Sequence, residues 1–446
     1  MSGALQMVYQ NLRSFGSSPY WVVYQSVGAA SQSLRTYVDA TQGVYFGSNG
    51  STYPGRLGLI SQTGTLSRQF NFYYNPGCCV EPQGYVDTVV GDASGNLYAT
   101  GSTPPNYNNG GIFYQISSSN TETYYKKSSS TSGTGNAGIQ LTSDGSTVQV
   151  RGAGASIGWY AFKITAGAYA FQKNIKSTTM TGSSYNITLE DFKTDASDLM
   201  YFTGYGRTPA TNQNHGYLVK VTADGATVSW ARTYRHSSYA TTFYNVAVDT
   251  SGNVFASGDV ATTPRHNVTV KYDSAGTFQW AAFLELGSPS LTGGSSKLTT
   301  DSSGNVYVAM PSVNSNTQST IIKYSSAGVL QWQREFTTVA GSGEFYILGL
   351  QVVGEYMYVS GYKTNNNYPI IWKLPVDGSL TATYAFTGNI APWSISYQVS
   401  TYSEGSITGT SATSSNWTTT NLSFTLSNGD ALSTSTNQDA VTKLTI

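Results

Sequence analysis

One short phrase recurs along this chain at a nearly fixed interval, and that interval restricts the fold more than any other feature. The sharp copies are Asp92-Ala-Ser-Gly95-Asn96-Leu-Tyr98, Asp249-Thr-Ser-Gly252-Asn253-Val-Phe255 and Asp301-Ser-Ser-Gly304-Asn305-Val-Tyr307. Their glycines are separated by 304 − 252 = 52 and 252 − 95 = 157 residues, the second being three intervals of about 52. Self-similarity at this period marks a repeat architecture. Decayed copies fill the gaps at Gly43, Gly145, Asp195–Tyr201, Gly354 and Gly405. Seven steps of about 52 join Gly43 to Gly405, which gives eight registers.

A single repeat reads strand by strand. Tyr244–Asp249 alternates as a half-buried strand, and Thr250–Asn253 is a tight turn in which Asp and Asn bind backbone N–H groups and Gly supplies a positive φ. Val254–Gly258, Asn267–Tyr272 and Thr277–Phe283 are three further strands, with Asp273–Gly276 turning the chain before the last. Four short antiparallel strands in about 52 residues make one β-propeller blade. The third strand has its own mark, a lysine five residues before a turn glycine: Lys220/Gly225, Lys271/Gly276, Lys323/Gly328 and Lys373/Gly378. Gln115 and Lys163 sit similarly, and Leu59 takes the place before Gly64. A fourth-strand aromatic follows at Phe70, Trp230, Trp280, Trp332 and Tyr384. The lysine is expected on a solvated strand face and the aromatic between neighbouring sheets. Calcium binding through the oxygens of the recurring turn is the alternative to plain turn chemistry.

Ala440–Ile446 matches a third strand and stops before a fourth, while Ser18–Gln25 resembles an orphan fourth strand. An N-terminal strand that completes the last blade would leave no open sheet edge. The expectation is therefore an all-β chain folded as a single β-propeller of eight four-stranded blades. Seven is the alternative, because the Ser/Thr/Asn-rich insertion 413–439 disturbs the last register. In domain terms, residues 1–16 are a leader and 17–446 the propeller. Within it, 17–32 supply the closing fourth strand, 33–390 seven sequential blades and 391–446 the last blade.

Only 10% of residues are charged and the formal net charge is zero, which argues against nucleic acid or an anionic membrane as partner. The two cysteines, Cys78 and Cys79, are adjacent, so there is no disulfide framework. No basic segment followed by an apolar run opens the chain, and no stretch approaches the ~18 apolar residues of a membrane helix. A Tyr-, Asn- and Ser-rich, uncharged surface without an export signal fits a virion protein, made in the host cytoplasm and working outside it. A bacterial extracellular or cell-surface protein is the other compartment considered.

The phrases Gly91-Asp92-Ala-Ser-Gly-Asn96-Leu-Tyr-Ala-Thr-Gly101 and Val248-Asp249-Thr-Ser-Gly-Asn253-Val-Phe-Ala-Ser-Gly258 resemble the bacterial β-propeller repeat family known by its SBBP motif. The resemblance covers most of residues 33–390 and implies a propeller, not an activity. Separately, Met1–Gly16 resembles the start of structural proteins of aquatic tailed bacteriophages. That likeness implies docking to other virion proteins, for which Leu5, Met7, Val8, Tyr9, Leu12 and Phe15 are the candidate anchoring residues.

A propeller sends its tight turns to one face and its long loops to the other. Binding residues favour variable loops on a rigid scaffold. The candidate ligand-binding residues on the long-loop face are Tyr53, Asn106, Tyr107, Arg207, His215, His236, Arg265, His266, Asn366 and Tyr368. The three histidines are expected to be exposed loop residues left from blade duplication. Metal binding or a pH-sensitive patch is the competing reading, but zinc needs three or four ligands. No nucleophile elbow, zinc-protease motif or phosphate loop is present. Glu81, Glu190, Asp191 and Glu344 are scattered acids, and a pair assembled across the ring is the one route to glycosidic cleavage. No cofactor, no metal and no enzymatic activity are expected. The expected role is a structural component of a tailed-phage virion, a tail fibre, appendage or surface decoration, with a host-surface glycan as the candidate ligand. An adhesion propeller and a polysaccharide-degrading propeller are the alternatives.

Overall fold

The structure is a computed structural model. It describes residues 7–11, 21–25, 34–48, 55–72, 85–102, 111–119, 122–128, 136–152, 159–166, 168–177, 187–207, 213–236, 238–262, 265–285, 296–313, 318–338, 344–364, 368–386, 393–399, 417–421, 424–428 and 434–435. These residues form strands and turns in seven antiparallel sheets. The protein is a seven-bladed β-propeller.

Blade 1 comprises Leu34–Val38, Val44–Ser48, Gly55–Ile60 and Leu66–Phe72. Blade 2 comprises Tyr85–Gly91, Leu97–Ser102, Gly111–Ile116 and Glu122–Ser128. Blade 3 comprises Asn136–Leu141, Thr147–Gly152, Trp159–Thr165 and Ala168–Ser177. Blade 4 comprises Thr188–Thr194, Met200–Arg207, Asn214–Val221 and Val228–His236. Blade 5 comprises Thr241–Val248, Val254–Val260, His266–Tyr272 and Phe278–Glu285. Blade 6 comprises Lys297–Thr300, Val306–Val313, Gln318–Tyr324 and Leu330–Thr338. Blade 7 takes Phe345–Val353, Tyr356–Lys363 and Tyr368–Pro375 from one part of the chain and Trp21–Gln25 from the other. First strands of successive blades touch, and that of blade 7 touches that of blade 1, so the ring is closed.

The N-terminal strand does complete the closing blade, and its register is that of a true fourth strand. Trp21 pairs with Lys373 as Trp230 pairs with Lys220, Trp280 with Lys271 and Trp332 with Lys323. The ring closes one blade earlier than the eight registers suggested. The described strands of the expected last blade do not form a sheet of their own. Trp393–Val399 adds to the outer strand of blade 6, with Ala382–Phe386 beyond it. Trp417–Asn421 adds to blade 4, Phe424–Asn428 to blade 3 and Thr434–Ser435 to blade 2. Tyr384 therefore lies in a sixth strand of blade 6 rather than a fourth strand of blade 7. The physical reason is edge competition: Trp21–Gln25 occupies the outer edge of Tyr368–Pro375, leaving later strands only the edges of finished blades. The third strand expected at 440–446 lies outside the described residues.

The recurring turn behaves as the sequence implied. Gly95, Gly252 and Gly304 have φ of +81°, +77° and +75°, a region L-residues rarely enter. At Asp92, the N–H groups of Ser94 and Asn96 donate to Oδ1 at 3.0 and 2.9 Å. The Asn96 amide and the Tyr98 hydroxyl donate to Oδ2 at 2.8 and 3.0 Å. Asp301 repeats all four bonds with Ser303, Asn305 and Tyr307. Both carboxylate oxygens thus accept bonds from their own turn, which accounts for the Asp-x-Ser-Gly-Asn-x-Tyr spacing.

The third-strand lysine is half-buried at Lys220, Lys271 and Lys323 and buried at Lys373, and it does more than face solvent. Lys220 Nζ donates to Ser274 O at 3.1 Å and Lys271 Nζ to Ser326 O at 2.9 Å, each acceptor lying in a turn of the next blade. The fourth-strand tryptophans Trp230 and Trp280 donate Nε1–H to the same two carbonyls, both at 3.1 Å. Lys373 repeats the contact from blade 7 to blade 1, donating to Gln42 Oε1 at 2.9 Å and Gln62 O at 3.2 Å. Blade 1 has Leu59 in place of lysine, and Arg68 of its fourth strand reaches Ser117 O of blade 2 instead, at 2.9 Å. Lysine and aromatic are thus an inter-blade staple, because adjacent blades approach closely where the third-to-fourth turns emerge. Apolar packing works at the same boundaries. One buried cluster joins Tyr307 and Ile321 of blade 6 to Phe345 and Trp372 of blade 7, and another joins Leu34 and Phe46 of blade 1 to Tyr358 and Ile371 of blade 7.

Candidate functional site

The expected long-loop residues that the structure describes are mostly engaged by their own blades. His215, His236 and His266 are 2%, 5% and 5% exposed, so they are not exposed loop residues. Each lies at the long-loop end of a strand. Ser238 N–H donates to His236 Nδ1 at 3.0 Å, the His236 ring stacks on Tyr239, and His266 Nδ1 lies 2.8 Å from the Thr262 hydroxyl. Burial, and then the Arg235 cation, hold His215 down at about 4. Burial lowers His236 too. Arg265 pairs with Asp259 at 3.0 Å, and Arg207 Nε donates to Asn214 Oδ1 at 2.9 Å. Tyr53, Asn106, Tyr107 and Asn366, with Cys78, Cys79 and Glu81, lie outside the described residues, and Tyr368 is described by its backbone alone. Of the anchoring residues, Met7, Val8 and Tyr9 lie in the strand Met7–Asn11, paired with Gln25, Tyr24 and Val23. Leu5, Leu12 and Phe15 lie outside the described residues. Among the described residues, no three His, Cys, Asp or Glu side chains gather as a metal-holding group.

The chemistry gathers instead along the ring axis. A cavity of about 350 Å³ is walled by the first strands of all seven blades. Its lining runs from mid-strand to Thr194 and Val248, so it occupies the half of the channel nearer the tight turns. Six charged residues line it: Arg35, Asp87, Glu190, Asp191, Lys193 and Lys297.

Two sequence features place them. First strands carry a β-bulge in blades 2, 3, 4, 5 and 7, and the extra residues are Asp87, Ala137, Glu190, Tyr244 and Leu348. Opposite the bulge the second strand has a glycine in four of these blades, Gly101, Gly204, Gly258 and Gly361, and Arg151 in blade 3. A Cβ at Gly204 or Gly258 would collide with the carbonyl oxygen of Thr188 or Thr242. In blades 4 and 5 the glycine thus makes room for the bulged backbone, and in blades 2 and 4 the bulge brings an extra acid, Asp87 and Glu190, to the channel wall. Beyond it, one register runs round the ring as Arg35, Thr88, Gly138, Asp191, Asn245, Lys297 and Gly349. Their second-strand partners Gly47, Thr100, Val150, Thr203, Ser257, Ala309 and Ser360 hold equivalent places in each blade.

Part of this ring is spent on blade-to-blade bonds. Asp191 Oδ2 accepts Val246 N–H at 3.1 Å, Asn245 Oδ1 accepts Leu298 N–H at 2.9 Å, and Arg35 Nε donates to Asp87 O at 3.1 Å. Among the described residues, the direct ion pairs are Lys163–Asp144, Arg265–Asp259 and Lys323–Asp301, and none of them involves the channel. Burial raises Glu190 to about 7, opposed by the Lys297 cation. Burial, then Arg35, brings Lys297 down to about 8. Of the scattered acids, the fold brings Glu190 and Asp191 to the axis. Glu344 sits outside that lining, buried before the first strand of blade 7.

No protein-family model matches the chain, and no curated protein matches it. Among solved structures, the Cps50 (Swd1) β-propeller domain of Myceliophteria thermophila aligns over 83% of this chain and all of its own, at 9% identity and a TM-score of 0.49. The polysaccharide lyase Uly1 aligns over 79% of this chain and 91% of its own, at 9% identity and a TM-score of 0.49. Drosophila Plexin A, in complex with Semaphorin 1b, aligns over 79% and 88%, at 8% identity and a TM-score of 0.41. These are likenesses of fold, and the propeller assignment stands on the sheet topology.

Proposed function

We propose that this chain is a non-enzymatic structural component of a tailed-phage virion, a rigid appendage or surface decoration that contacts a host-surface glycan. One observation carries the reading most: the ring is stapled at blade boundaries, and described strands cover the outer edges of blades 2, 3, 4, 6 and 7. A sheet edge left open invites pairing with other chains, and a protein displayed in many copies needs its edges covered. The likeness of Met1–Gly16 to phage structural proteins and the uncharged, Tyr- and Asn-rich composition support the same reading. In it, residues 1–16 dock the ring to other virion proteins, and copy number follows virion symmetry. Within that segment, the strand Met7–Asn11 pairs with Trp21–Gln25.

The test is a chain lacking residues 1–16, which keeps Trp21–Gln25. It is expected to fold as the full chain does, by circular dichroism and thermal melting, and to be absent from purified particles by mass spectrometry. Incorporation of the shortened chain at the normal level would overturn the docking role.

A further inference from the structure

We propose that the axial cavity is a binding site for a carboxylated sugar, one residue of a uronic- or sialic-type acid. Its carboxylate sits between Arg35 and Lys297, and its hydroxyls face Glu190 and Asp191. The proposal deepens the glycan-contacting reading above and moves the contact from the long loops to the axis.

The placement of charge decides the ligand class. Arg35 belongs to blade 1 and Lys297 to blade 6, and between them blade 7 presents Gly349 in the same register. The place of a side chain at Gly349 is taken by the hydroxyls of Thr36 and Ser360, 2.7 Å apart, so between the two cations the wall is neutral and polar. Both are half-buried; the Arg35 charge disfavours that of Lys297, while Asp191 favours both. Neither has a carboxylate within ion-pair distance among the described residues. The acids of the same wall, Asp87, Glu190 and Asp191, offset these cations at a distance, not by direct contact. A ligand carboxylate would add that contact, with the bidentate geometry that a guanidinium favours.

The rest of the wall selects for hydroxyl groups. Blade 4, across the ring from blade 7, offers Glu190 and the Oδ1 of Asp191, whose Oδ2 accepts Val246 N–H. Gln140, Thr88 and Thr299 line the space between. These groups accept and donate hydrogen bonds to a polyol, and carboxylates are strong acceptors for sugar hydroxyls. A cavity of about 350 Å³ is at the small end of ligand sites and holds one sugar ring rather than a chain. Its position near the tight turns admits a terminal residue end-on.

The experiment is calorimetric titration of the full chain with glucuronate, galacturonate and N-acetylneuraminate, beside glucuronate methyl ester, glucose and glutamate. At least one sugar acid is expected to bind with a dissociation constant of about 1 mM or tighter, and its neutral counterpart at least about tenfold more weakly. Lys297→Gln and Asp191→Asn are each expected to weaken binding by about tenfold or more. Should a variant fail to fold, the acid-against-ester comparison on the unaltered chain still decides. Equal binding of ester and acid, tighter binding of glutamate than of every sugar acid, or no binding at about 10 mM would sink the site. Particle incorporation of Lys297→Gln is scored in parallel. Incorporation without sugar-acid binding by the unaltered chain removes the cavity site and leaves the virion role standing. Loss of the virion role with binding intact does the reverse.

Discussion

The two terminal segments meet the ring in opposite ways. Trp21–Gln25 enters blade 7 at the register of a fourth strand and makes the ring continuous. The strands between Ala382 and Ser435 add only to the outer strands of blades that are already complete. Both segments show strand-type alternation, and both satisfy an edge. Only the first lies at a boundary where a core cluster, a lysine staple and the next blade all converge. The function of a strand in a repeat fold is set by which edge it meets, not by its own pattern.

Removing residues 1–25 is the most severe way to test that contrast. It strips the fourth strand from blade 7, and the expected outcome is loss of a cooperative thermal transition and of monomeric behaviour on gel filtration. Truncation after residue 387 is the counterpart, and it is expected to keep a cooperative transition. If the two truncations are equally damaging, the distinction between closing and covering strands fails. Trp372→Ala comes next. Trp372 is fully buried in the closing blade, against Phe336 at 5.5 Å and Phe345 at 6.2 Å between centroids. A loss of about 3–5 kcal/mol is expected from denaturant unfolding.

Acid should act on the ring rather than on its covering strands. His215 titrates at about 4 in the fold against an ordinary 6.5. Between those values the unfolded chain binds a proton that the folded chain refuses, so stability is full above about 6.5 and falls as pH drops through 4. His215→Gln is expected to flatten unfolding free energy across that window, and the truncation after 387 is expected to leave the slope in place. Lys373→Met is the smallest of these changes. It keeps the aliphatic stem but removes the two bonds donated to Gln42 Oε1 and Gln62 O across the seam, with an expected loss of about 1–3 kcal/mol. The same change at Lys271, remote from the closing seam, should cost less, because Lys271 is the more exposed lysine.

Much of the ring was legible in the sequence because turns are local. Asp92, Gly95, Asn96 and Tyr98 bond to one another within seven residues, so their spacing is printed in the chain. The N-terminal strand was legible because Trp21 carries the fourth-strand aromatic. The number of blades was not, since Gly405 and the alternating stretch after it satisfy the repeat pattern without saying which edge they pair with. The channel was also hidden, although its signal was present. Gly101, Gly204, Gly258 and Gly361 close the recurring second strand, and each reports a bulge opposite. Reading those glycines as bulge markers would have pointed to Asp87 and Glu190. The histidines misled because loop-adjacent polarity suggests exposure, whereas all three are buried at the strand ends.

The closing hairpin has a consequence for how the chain matures on the ribosome. Trp21 finds Lys373 only after roughly 350 residues more have been made. At about 5–20 residues per second that is a wait of roughly 20–70 s. Throughout it, Trp21–Gln25 is a strand without its blade, and an unsheltered strand of this kind is a seed for aggregation. Met7–Asn11 pairs with its other edge, and that hairpin spans few enough residues to form as soon as it emerges. The outermost strand of the finished ring is thus also its escort during synthesis. A chain without it would be expected to lose yield at the translational stage even where the mature ring is equally stable.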